Sequence, residues 1–82
     1  MIQLYFDPAC PFCVRVLRFL EQEQIPFEPK EISLWMDSPT KQELIALGGK
    51  SQVPFLVDAD NDVQMYESAD ILSYLQTRQQ TA

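Results

Sequence analysis

The 82 residues carry twelve carboxylates against six lysines and arginines and no histidine, a formal net charge of −6. With 46% hydrophobic and 22% charged residues, the composition is that of one folded domain, residues 1–82, rather than a disordered chain. Six scattered cations argue against nucleic acid or an anionic membrane as partner, since both need a basic face.

No apolar run approaches the roughly 18 residues of a membrane span. Met1-Ile2-Gln3 lacks the basic start of a secretion signal, and Asp7-Pro8 interrupts the apolar stretch that follows. The expectation is a cytoplasmic protein with a single modest core. In a reducing compartment two closely spaced cysteines favour catalysis or metal binding over a structural disulfide.

Ile2 to Phe6 reads as a strand that delivers Cys10-Pro11-Phe12-Cys13 to the start of a helix. Val14, Leu17 and Leu20, flanked by Val16 and Phe19, recur at helical spacing, with Arg15, Arg18, Glu21 and Glu23 on the other side. The helix is expected to end near Gln24, because the residue before Pro26 is pushed out of the helical region. Phe27 to Ile32 is a second strand, and Pro29 within it calls for a sheet edge. Ser38 and Pro39 predict the N-cap and first residue of a second helix, with Leu44, Ile45 and Leu47 as its apolar stripe and Gly48-Gly49 as its stop. Trp35 and Met36, just before it, are expected to pack.

Ser51 to Val57 predicts a third strand bent by Pro54, Asp58 to Asp62 a polar turn, and Val63 to Tyr66 an antiparallel return. Ser68 is expected to cap a last helix carrying Ile71, Leu72, Tyr74 and Leu75, and the polar tail from Arg78 to Ala82 to fray. The order βαβαββα implies an α/β fold, with a four-stranded mixed sheet and helices on both faces. Its strand–helix–strand units are read as right-handed crossovers between parallel strands.

The chemistry lies at Cys10 and Cys13, the only two cysteines. Free amides and the positive end of the helix dipole stabilise a thiolate at the first turn, so Cys10 is expected to ionise below the free value of about 8.5. Cys13, one turn further in, is placed to attack a mixed disulfide formed on Cys10. Structural zinc would need further cysteine or histidine ligands, so no resident metal is expected; an iron–sulfur cluster shared between two chains stays open. Phe12 is expected to be partly exposed beside the thiol. Arg15 and Arg18 are expected to solvate the first helix, with Arg15 within reach of Cys13.

Cys10-Pro11-Phe12-Cys13, Gln52-Val53-Pro54 and Tyr66-Glu67-Ser68-Ala69-Asp70-Ile71 together make the chain resemble a glutaredoxin of the glutathione-transferase-like branch, similar to the N-terminal domain of two-domain bacterial glutaredoxins. The resemblance implies a thioredoxin-like fold, a cis peptide before Pro54, Cys10 as nucleophile, Cys13 as resolving thiol and glutathione as co-substrate. It also implies a glutathione site made by Phe12, Lys50, Gln52, Val53, Pro54, Glu67 and Ser68. Val53 would pair main chain to main chain with the cysteinyl part, Glu67 and Ser68 would hold the γ-glutamyl end, and Lys50 with Gln52 would take the glycyl carboxylate. Asp7 departs from the lysine that many glutaredoxins place three residues before the first cysteine, and as an anion it opposes the helix at Cys10.

The implied activity is that of a monomeric dithiol oxidoreductase reducing glutathionylated or disulfide-containing proteins. Two rivals stand beside it: a thioredoxin-like reductase serving one protein partner, and a non-catalytic glutathione or iron–sulfur binding module. A full glutathione transferase is not expected, because the chain stops where the family's helical second domain would begin.

Overall fold

In the computed structural model, which describes the backbone of residues 1–81 and the side chains of residues 1–77, the strand run Ile2–Phe6 forms β1 at the centre of the sheet. Ile2, Leu4, Tyr5 and Phe6 are all buried there, because a central strand has elements packed on both faces. Helix α1, Pro11–Gln22, follows, and it buries Cys13, Val16 and Leu20. The buried stripe is thus displaced from the expected Val14–Leu17–Leu20 line: a buried thiol packs as a small hydrophobe, and Cys13 starts the i, i+3, i+7 series. Arg15 and Arg18 are exposed.

Strand β2, Phe27–Glu31, pairs parallel to β1 and lies at the sheet edge, where Pro29 costs no ladder bond. Helix α2, Pro39–Gly48, starts as predicted, with Ser38 Oγ accepting the Lys41 amide at 3.1 Å. It stops at Gly49, whose φ of 88° suits a residue without a Cβ. Only Leu44 of its apolar positions is fully buried, and Leu47 faces solvent. The Tyr5 hydroxyl donates to Glu43 Oε1 at 2.8 Å and ties β1 to α2.

Strand β3 is shorter than predicted, Phe55–Asp58, and starts directly after a cis Val53–Pro54 bond. It pairs antiparallel to β1, so the second strand–helix–strand unit is not a parallel crossover. Helix α2 leaves the chain at the end of the sheet where β2 finished, and β3 begins there. Strand β4, Val63–Met65, returns antiparallel to β3, giving the order β2-β1-β3-β4.

Asp58 is no part of a polar turn. It is buried, and its carboxylate accepts from Asn61 Nδ2 and the Tyr74 hydroxyl, closing the short 3-10 turn Ala59–Asn61. Helix α3, Ser68–Thr81, packs against α1. Its first carbonyl acceptor is that of Glu67, bonded by the Ile71 amide at 3.0 Å, so the cap lies one residue before Ser68. Its backbone is helical beyond Arg78; Ala82, the end of the tail expected to fray, lies outside the described residues.

Candidate functional site

The strand register assembles the site. Tyr5 pairs with Phe55, and Leu56 pairs with Met65. Running both ladders outward brings Phe6 and Asp7 opposite Pro54 and Val53, and Pro54 opposite Glu67. Three segments far apart in sequence therefore meet at the end of the sheet where β1 hands over to α1. The antiparallel arrival of β3 is the cause.

Cys10 occupies the N-cap of α1 in an extended conformation, with no side-chain cap bond and Pro11 in the first turn. Its amide donates to the Asp7 carbonyl at 3.0 Å, and its carbonyl accepts the Val14 amide at 3.0 Å. The backbone is thus fixed on both sides, and the sulfur stands half-buried at the helix N-terminus. Cys13 is fully buried one turn on; both are free thiols. Burial pushes the Cys13 thiol up to about 12, reinforced by the neighbouring sulfur and by the charge of Asp7, against a lowering backbone hydrogen bond from Asp7.

Asp7 is buried, and both its carboxylate oxygens are engaged by backbone amides: Ala9 at 2.9 Å and Leu34 at 3.0 Å. Those two bonds, Leu34 first, hold its carboxyl below the usual range. An aspartate at this position therefore serves as a backbone brace. Sequence reading misses this because Leu34 lies on a loop 27 residues away.

A cavity of about 210 Å³ opens beside the cysteines, lined by Phe12, Gln52, Val53, Pro54, Glu67 and Ser68. Phe12 is 57% exposed at its mouth. Gln52 Nε2 donates to Glu67 Oε1 at 3.3 Å across it. Glu67 has φ 68°, an unfavourable region for a side-chain-bearing residue that costs on the order of 1–3 kcal/mol. Lys50, also expected here, is not among the lining residues: its ammonium lies 5.0 Å from the centre of the Tyr66 ring.

The cavity lies between the N-terminal turns of two helices and a cis-proline, and the sequence that folds around it is matched by a family model. Residues 4–82 fit the family described as glutathione S-transferase, N-terminal domain. The chain belongs to that family.

Among curated relatives, prostaglandin E synthase 2 of Danio rerio is 32% identical over 76 residues, covering 93% of this chain and 19% of the relative. This family member thus spans about a fifth of the length of that relative. An uncharacterised glutaredoxin-like 8.6 kDa protein of Clostridium pasteurianum is 27% identical over 71 residues, covering 87% of this chain and 92% of the relative. Among solved structures, glutaredoxin 2 of Salmonella typhimurium in complex with glutathione superposes with a TM-score of 0.74 at 27% identity, covering 92% of this chain and 32% of that one. The fold is therefore thioredoxin-like, in a family that joins glutathione transferases and glutaredoxins.

Proposed function

We propose that this glutathione S-transferase N-terminal-like domain is a dithiol thiol–disulfide oxidoreductase that uses glutathione. The observation that carries the reading is the pair Cys10 and Cys13. One sulfur is half-buried at a helix N-terminus and the other is buried behind it, and Phe12 between them lines a cavity formed with Gln52, Val53, Pro54, Glu67 and Ser68, residues to which the resemblance assigns glutathione contacts. The Salmonella relative, solved with glutathione, supports the choice of ligand.

In the first step the Cys10 thiolate attacks the glutathionyl sulfur of a protein–glutathione disulfide. The protein leaves as its thiolate and takes a proton, and Cys10 holds the glutathionyl group. A second glutathione thiolate then attacks that group, releasing oxidised glutathione and restoring the Cys10 thiolate. Alternatively, Cys13 loses its proton and attacks Cys10 Sγ, so that glutathione leaves and a Cys10–Cys13 disulfide remains for two further glutathiones to reduce. The high proton affinity of Cys13 slows this second route.

The cavity is smaller than the roughly 300–1,000 Å³ of an enclosing ligand site. It therefore grips part of the tripeptide: Val53 through its backbone, Glu67 through the γ-glutamyl ammonium, the first turn of α3 at Ser68 through the γ-glutamyl carboxylate, and Gln52 toward the glycyl end. Phe12 and Pro54 supply the apolar walls. The reducing cytoplasm is the compartment that suits such a centre.

The test compares electron donors on a glutathionylated peptide. Turnover with glutathione and glutathione reductase, and little with thioredoxin reductase, is expected. The reverse preference would make the protein a thioredoxin-like reductase. A coloured cluster on anaerobic reconstitution, without turnover, would make it an iron–sulfur carrier.

A further inference from the structure

Resting on the redox reading above, we propose that the turn Leu34–Met36 is the docking site for the protein substrate, and that it selects a segment in which an apolar side chain is flanked by lysine or arginine. Three consecutive large apolar residues are exposed here: Leu34 at 40%, Trp35 at 90% and Met36 at 69%. Scattered exposed hydrophobes are ordinary, but a contiguous group on one turn marks an interaction surface. It overturns the expectation that Trp35 and Met36 pack within the domain.

The turn is held open by its own bonds. The Leu34 amide donates to Asp7 Oδ2 at 3.0 Å, the Trp35 amide to Ser33 Oγ at 3.2 Å and the Met36 amide to the Ser33 carbonyl at 3.4 Å. Lys41 Nζ donates to the carbonyls of Leu34 at 3.1 Å and Met36 at 3.4 Å. An indole carried on so braced a frame loses little further backbone freedom on binding, and tryptophan is enriched among residues that anchor interfaces.

Charge decides the partner. The groove between this turn and Pro8 is lined by the carboxylates Asp7, Glu31 and Asp37, with no lysine or arginine among its lining residues. Asp37 is kept anionic by hydrogen bonds from Gln42 Nε2 at 2.7 Å and the Ser38 amide at 2.9 Å, and its carboxyl is held below the usual range. Among the described residues, Lys41 is engaged on the turn's carbonyls and Lys30 with Glu28 and Glu43. A cationic segment is therefore the complement, and a chain of net charge −6 steers it in from a distance. The groove shares Asp7 with the redox site, and Asp7 also accepts the Cys10 amide, so a peptide lying there reaches toward Cys10.

Trp35 is the only tryptophan of the chain, and its emission reports docking without chemistry. Titration with the unreactive peptide Lys-Leu-Ser-Leu-Lys is expected to shift the emission to shorter wavelength, whereas Glu-Leu-Ser-Leu-Glu leaves it unmoved. On the glutathionylated cysteine versions, Asp37→Asn and Trp35→Ser are expected to raise KM for the basic peptide about tenfold, with turnover of glutathionylated free cysteine unchanged.

An emission that stays still with the basic peptide, or shifts equally with the acidic one, overturns the docking site while leaving the redox activity in place. A shift on concentrating the protein alone assigns the turn to a second copy and likewise overturns the proposal. Absence of turnover on glutathionylated free cysteine would refute the redox reading, and the titration with unreactive peptide would still decide the docking.

Discussion

Asp7 and Leu34 are joined by a 3.0 Å hydrogen bond from the Leu34 amide to Asp7 Oδ2, while the Asp7 main-chain carbonyl accepts the Cys10 amide at 3.0 Å. One residue thus braces both the loop before α2 and the turn that presents the nucleophile. Asp7→Ala leaves the amides of Ala9 and Leu34 without their partner, so a lower Tm at neutral pH is expected, together with slower reaction at Cys10.

Asp7→Asn keeps an acceptor and restores part of the Tm. Because the folded-state carboxyl lies below its ordinary value of 3.8, its stabilisation is present above that value and is lost as pH falls through the folded pKa. The Tm gap between the wild type and Asp7→Ala should therefore narrow below about pH 4. Thermal melts across acid pH measure it, and a gap independent of pH would contradict the assignment.

Cys13 gives the opposite dependence. A thiol raised from 9.0 to about 12 is protonated in the folded state where the unfolded chain has ionised. Its stabilisation is full below pH 9 and is lost as pH rises toward 12. Denaturant unfolding from pH 7 to 11 should show the wild type losing stability relative to Cys13→Ala. In alkylation at pH 8, Cys13 is buried and its thiol is pushed up by that burial, so it offers little thiolate. Peptide mapping should then find the first equivalent of iodoacetamide on Cys10, and label shared equally between the two cysteines would contradict this placement.

Gly48 shows how the fold holds the loop that ends in the cis-proline. A Cβ there would run into the Tyr66 hydroxyl and ring and crowd Phe55. The Tyr66 hydroxyl donates to the Lys50 carbonyl at 3.0 Å, and its ring packs on Phe55 with centroids 4.5 Å apart. Gly48→Ala must displace that ring, at a cost of about 1–3 kcal/mol, and should weaken glutathione binding by loosening residues 50–54. Urea unfolding and glutathione titration check both effects. An unchanged midpoint would show that the ring is not fixed there.

At the far side of the cavity, Glu67→Gln removes the charge proposed to meet the γ-glutamyl ammonium while keeping an acceptor in place. An exposed ion pair is worth up to about 1 kcal/mol, so KM for glutathione should rise about fivefold with kcat little changed. Steady-state kinetics at low salt measure it. A fall in kcat at unchanged KM would move Glu67 out of the binding role.

Local chemistry was legible in the sequence. Cys10-Pro11 and Ser38-Pro39 announce helix starts, Gly49 a helix stop and Pro29 a sheet edge, because each acts through its own backbone. What depends on contacts far along the chain was not. The antiparallel arrival of β3 rests on its pairing with β1, far back along the chain, and the burial of Asp58 on Tyr74, sixteen residues on. Trp35 faces outward because Ser33, Lys41 and Asp7 satisfy the backbone of its turn, a set of partners that hydrophobicity does not reveal. At the cavity, six of the seven side chains assigned by motif come together, and Lys50 is drawn aside by Tyr66.

The most direct measurement is deglutathionylation of one peptide by Cys10→Ser and Cys13→Ser, with glutathione as reductant. Loss of all activity in Cys10→Ser with activity retained in Cys13→Ser is the predicted result, since the glutathione route needs only the outer sulfur. Undiminished activity in Cys10→Ser would contradict the account at its root.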